Sequence, residues 1–116
     1  MDFLENTRRS RLPVAAYAWA PQACGPLMEA YRSDLQGFAD RLRLPVPSFF
    51  EDSGDRADDE RPALSCLLDL VAIHIFQVVL IPGPFVFRPG PVDVDAVVGH
   101  VIASGCRIVE LPPPGA

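Results

Sequence analysis

Apolar and polar positions along this chain fall into blocks whose period changes, and each change marks an element. Leu12 to Trp19 is short, apolar and flanked by prolines, the pattern of a strand buried on both faces, as in parallel sheets. From Pro26 to Leu44 the period lengthens: Leu27, Tyr31, Leu35, Phe38 and Leu42 recur at three- and four-residue steps, which predicts an amphipathic helix. Pro45 and Pro47 stop it, and Val46 to Phe50 reads as a second strand, leading into the acidic stretch Glu51 to Glu60, expected to be a surface loop. Pro62 suits the first turn of a helix whose buried face is Leu64, Leu67, Leu68 and Val71, with acidic residues before it at the positive end of its dipole. Phe76 to Ile81 predicts a third, central strand, closed by Pro82, Gly83 and Pro84. A stiff loop to Pro91 precedes a helix over Val92 to Ser104 that ends at Gly105, and Arg107 to Leu111 is the last strand.

Four strands alternate with three helices, and right-handed crossovers between parallel strands satisfy that order most simply. The expected architecture is a three-layer α/β sandwich on a mostly parallel four-stranded sheet, flavodoxin-like or Rossmann-like. The domain spans residues 12–111, preceded by a flexible arm over 1–11 and followed by a disordered proline-rich tail over 112–116. With 116 residues and about half of them apolar, the chain has material for one core and not two.

Charge narrows the functional classes. All ten basic residues are arginine, and the formal net charge is -5, so the overall field repels polyanions and makes direct DNA binding an unfavourable expectation. Cys24, Cys66 and Cys106 are odd in number and lack metal-ligand spacing, which reads as reduced, packed thiols. Arg8, Arg9 and Arg11 ahead of an apolar stretch mimic an export signal, but Pro13 interrupts it and the stretch serves better as a strand. No apolar run approaches the ~20 residues of a membrane helix, so a cytoplasmic protein with no membrane contact is expected. The carboxylates between Glu51 and Glu60 do not follow a calcium-loop spacing, His74 and His100 are isolated, and nucleotide- and zinc-binding motifs are missing. No cofactor or metal is expected.

Four segments, in order, resemble the catalytic domain of serine recombinases, the resolvase/invertase family. Val14-Ala15-Ala16-Tyr17 is similar to that family's opening strand, and Phe50-Glu51-Asp52-Ser53-Gly54 to its F-x-D-x-G-x-S-G segment. Arg61-Pro62-Ala63-Leu64 with Leu67-Leu68 resembles its D-R-P-x-L-x-x-L-L helix start, and Phe76-Gln77-Val78-Val79-Leu80 its F-D-x-V-V-V strand. The resemblance covers about residues 13–111 and implies a resolvase-like fold. The receiver domain of two-component signalling has a similar element order, but its acidic pair after the first strand and its aspartate after the third are not found here.

The same resemblance implies a degenerate active site. Where the family carries an arginine and its nucleophilic serine, this chain has Trp19 and then Ala20 and Pro21. Where the family has an aspartate and two arginines after the third strand, the chain reads Pro84-Phe85-Val86-Phe87-Arg88, leaving only Arg88. Without the hydroxyl and most of the phosphate-neutralising charge, no recombinase activity is expected and the chain is taken to be no enzyme. The working expectation is an inactive recombinase-like module that binds a protein partner or self-associates, possible homodimer included. Trp19, Phe85 and Phe87 form its surface if they are exposed together, or plug the vacated pocket if they point inward. The alternatives are a small-ligand or anion-binding domain using Arg88 at the sheet edge, and an accessory subunit of a DNA-acting assembly.

Overall fold

The computed structural model describes residues 13–21, 25–54, 61–83, 86 and 94–112. Their order is β1 (Val14–Pro21), α1 (Gly25–Arg41), β2 (Ser48–Gly54), α2 (Pro62–Ala72), β3 (Val78–Ile81), α3 (Val94–Ala103) and β4 (Arg107–Glu110). The strands form one sheet in the order β2-β1-β3-β4, and every pairing is parallel. The expected three-layer α/β architecture is therefore present, with β1 and β3 central.

β1 explains why the layers form. Val14 and Ala16 face one side and pack with Leu35 and Ala39 of α1 and with Leu80. Ala15 and Tyr17 face the other side and join Leu64, Leu67 and Val71 of α2 and Val97 and Val101 of α3. A strand buried on both faces must be apolar at every position, as the run from Leu12 suggested.

Boundaries moved where burial, not periodicity, decides. β2 is not Val46 to Phe50: Val46 is 69% exposed, and the strand continues through Glu51, Asp52 and Ser53 to Gly54. The start of the acidic stretch is thus edge-strand backbone paired with β1, Trp19 opposite Asp52 and Ala20 opposite Ser53, and only its remainder, 55–60, lies outside the described residues. In α1 the expected apolar stripe is only partly used. Leu35 is fully buried, whereas Leu27 and Leu42 are 38% and 44% exposed. The arm over 1–11 and the tail from 113 onward also lie outside the described residues.

The three helices of the described residues end in the same way. In α3, Gly105 N–H donates to Ile102 C=O and Cys106 N–H to Val101 C=O, the paired bonds of a Schellman motif, with Gly105 at φ +80. Arg43 (φ 59) after α1 and His74 (φ 64) after α2 hold the equivalent left-handed position, closing Leu44 N–H on Ala39 C=O and Ile75 N–H on Leu70 C=O. Left-handed backbone costs an L-residue about 1 kcal/mol that glycine does not incur. Arg43→Gly is therefore expected to raise the unfolding free energy by about 0.5–1 kcal/mol, and Gly105→Ala to lower it by about 1 kcal/mol, in urea titrations.

Candidate functional site

The carboxyl edge of a parallel sheet is where loops converge and ligands of such folds sit. Here the edge is built by the end of β1, the end of β2, the start of α2 and the turn after β3. Tyr17, Trp19 and Asp52 all lie on the α2 face of the sheet, because alternation along a strand sends every second side chain the same way.

A buried polar cluster occupies this corner. Asp52, 5% exposed, accepts a hydrogen bond from the Tyr17 hydroxyl at 2.9 Å. Its two oxygens also accept the backbone N–H groups of Ala63 and Leu64, each at 2.9 Å, in the first turn of α2. A helix start leaves its first N–H groups without intrahelical partners, and Arg61 at the N-cap position offers no side-chain bond to them. Asp52 supplies the acceptor from a neighbouring strand and places a negative charge at the positive end of the dipole.

Arg61 is equally buried, at 7% exposure. Its guanidinium lies 5.1 Å from the centre of the Trp19 ring, and its Nη1 donates to the backbone carbonyl of Val86, which ties the turn after β3 to the corner. Burial, then the charge of Asp52 and its hydrogen bond, push the Tyr17 phenol far above its ordinary range, while Arg61 partly opposes the rise. The group is a protonated phenol at any physiological pH.

Trp19, Ala20 and Pro21 sit together at this edge: Trp19 is half-buried against the core, Ala20 is buried and Pro21 is exposed. Pro84, Phe85, Phe87 and Arg88 lie outside the described residues, and between them only Val86, fully buried, is described. On the α1 side of the same edge, a cleft of about 250 Å³ is lined by Ala20, Pro21, Gly25, Met28, Glu51, Asp52 and Ser53. Arg32 of α1 holds Glu51 there in a two-pronged ion pair, at 2.8 and 2.6 Å. A larger open groove of about 580 Å³, lined by His74, Phe76, Gln77 and Arg107 among others, lies at the opposite edge and shares no residue with the cluster. We place the candidate site at the buried cluster, because chemistry follows converging charged groups more closely than volume.

Asp52 and Arg61 were missed as site residues by the sequence reading. The available signal was a helix opening on Arg-Pro with no Ser, Thr, Asp or Asn at its cap position, which requires an acceptor from elsewhere.

No family model matches the sequence, and no curated protein matches it. Solved structures do. The N-terminal catalytic domain of TP901-1 integrase superposes with a TM-score of 0.72 at 19% identity, covering 85% of this chain and 76% of that one. The C-terminal catalytic domain of ISC1926 TnpA, an IS607-like serine recombinase, gives 0.75 at 18%, covering 90% and 70%. A resolvase family site-specific recombinase from Streptococcus pneumoniae gives 0.73 at 18%, covering 86% and 72%. The chain has the fold of serine recombinase catalytic domains. This corrects the expectation that it is no enzyme: the structures sharing its fold are catalytic domains. That expectation leaned on three aligned positions at the end of β1 and on a loop outside the described residues, and it overlooked the buried polar cluster around Asp52 and Arg61.

Two outcomes follow from the cluster. Asp52→Ala strips the acceptor from the Tyr17 hydroxyl and from the N–H groups of Ala63 and Leu64, three donors at once; a loss of about 3–5 kcal/mol in urea unfolding is expected. Asp52→Asn will not restore it, because its amide turns a donor toward donors. Since the folded phenol of Tyr17 is raised above the unfolded value of 10.0, its contribution is fully present below pH 10 and falls as pH climbs beyond it. Stability measured from pH 9 to 12 should decline, and Tyr17→Phe should flatten part of that decline.

Proposed function

We propose that this chain is a recombinase-related domain that works as a protein-interaction module in a DNA-acting assembly, through the carboxyl edge around Trp19. The observation that supports this most is the indole itself. It stands half-exposed at the end of a central strand, backed by a buried guanidinium, so it is a rigid aromatic anchor whose ordering entropy has already been lost on folding. The net charge of -5 favours a protein partner over a naked polyanion. A cytoplasmic setting agrees with the free thiols of Cys66 and Cys106, and no described helix is long and apolar enough to cross a membrane.

A second reading is favoured by one observation. Arg61 places a positive charge at the edge where open α/β sheets hold ligands, which suits an anion such as phosphate.

One titration separates the two. Trp19 is the single tryptophan, so its emission reports this edge alone. A purified recombinase-type catalytic subunit is expected to shift and quench that emission; by calorimetry, which needs no indole, Trp19→Ala should weaken the complex by about 2 kcal/mol, roughly thirtyfold. Saturable quenching by inorganic phosphate, with no response to the protein subunit, would move the assignment to the anion site. Tight saturable binding of a short DNA duplex at physiological salt would overturn the protein-docking reading.

A further inference from the structure

The first residues of β3 and β4 and the last residues of α2 and α3 meet at the amino edge of the sheet, across the molecule from Trp19. The groove of about 580 Å³ lies there, within the size range of sites that hold small molecules. Val78 and Arg107 are partners in the β3-β4 ladder, so their side chains leave the same face of the sheet. Phe76 belongs to the core on the other face, where Phe50 holds it edge-on at 5.6 Å between ring centres. The groove therefore wraps the rim over a fixed apolar floor.

The polar groups around this floor make opposite demands. Arg107 and Gln77 are exposed, and among the described residues neither side chain has a hydrogen-bond or ion-pair partner. A guanidinium presents a planar fork of donors that fits a carboxylate. The wall made by His74 and Ser104 accepts instead. His74 donates from Nδ1 to the Ser104 carbonyl at 3.1 Å, and because a carbonyl can only accept, the neutral ring offers Nε2 as an acceptor. The Ser104 oxygen keeps a second lone pair, and the carbonyl ends of α2 and α3 add partial negative charge.

We infer that this groove binds a free α-amino acid with an apolar side chain. Its carboxylate pairs with Arg107 and Gln77, its ammonium with the His74 and Ser104 acceptors, and its side chain covers Phe76 and Val78. Charge selects the class. No Asp or Glu lines the groove among the described residues, although acidic residues outnumber basic ones 15 to 10 in the chain, so a carboxylate is tolerated here. One guanidinium balances a monoanion and not a phosphate of nearly double charge, and the helix ends disfavour an anion that brings no positive group with it. A zwitterion is neutral overall, so the net charge of -5 does not oppose its approach. The site is separate from the Trp19 edge and does not rest on the reading of that edge.

Titration of the whole chain with L-phenylalanine and with L-leucine, followed by amide NMR, tests it. At least one is expected to bind one to one and to shift the amides of Gln77, Gly105 and Arg107, with a dissociation constant on the order of 0.1–1 mM because the groove is open to water. The matching acid without its amino group, and the matching amine without its carboxylate, should each bind about tenfold more weakly. Arg107→Met should cost about tenfold or more. His74→Gly, which the left-handed backbone at φ 64 accommodates, should cost several-fold through loss of the ring acceptor. Circular dichroism of each variant confirms that the fold is kept. No saturation by about 20 mM of either amino acid overturns the inference. So does equal binding of the deaminated acid, an affinity unchanged in Arg107→Met, or a response confined to the Trp19 edge. Trp19 emission is expected to stay constant throughout, so this proposal and the one for the Trp19 edge fall separately.

Discussion

A single carboxylate, that of Asp52, holds the corner at the carboxyl edge of the sheet together. It lies within the protein, where an isolated charge would be expelled, and it stays because three donors from two directions close around it. Tyr17 comes from the central strand, and two backbone N–H groups come from the opening turn of α2. The carboxylate thus fixes where α2 begins and how it meets the sheet, and through the same turn it sets Arg61 beneath Trp19. The corner is one unit: the helix start, the central strand and the turn at Val86 share a hydrogen-bonded seam.

Much of this fold was legible before any coordinates. The uninterrupted apolar run in β1 announced two-sided burial, and the change from short continuous apolar runs to a helical period located α1, α2 and α3. Gly105 marked a helix end through its chemistry alone. The serine recombinase resemblance, drawn from four short segments, agrees with the fold seen in solved catalytic domains. Hydrophobic pattern carried these inferences because burial is what the pattern encodes.

The corner was harder to read for the same reason. In Phe49-Phe50-Glu51-Asp52-Ser53, acidity resembles a solvated loop, and nothing local distinguishes Glu51, answered by Arg32 from α1, from Asp52, answered by a helix that starts ten residues later. Polar groups are buried when partners from distant segments satisfy them, and that pairing is a property of the tertiary structure. Arg43 and His74 show a parallel limit: both take a backbone conformation that favours glycine, because tertiary packing outweighs a cost of about 1 kcal/mol.

The matching caps on the three helices have an electrostatic corollary. Their carbonyl ends are closed by backbone at one rim of the sheet, so the amino ends of α1, α2 and α3 are all directed at the other rim. Aligned peptide dipoles give that rim a positive character in a molecule whose summed charge is negative. The two signs act over different ranges. Beyond a screening length of about 8 Å an approaching anionic molecule is turned away, and only within it does the rim attract. The pull of this rim on negative charge is therefore short-ranged, felt after contact and not as long-range steering.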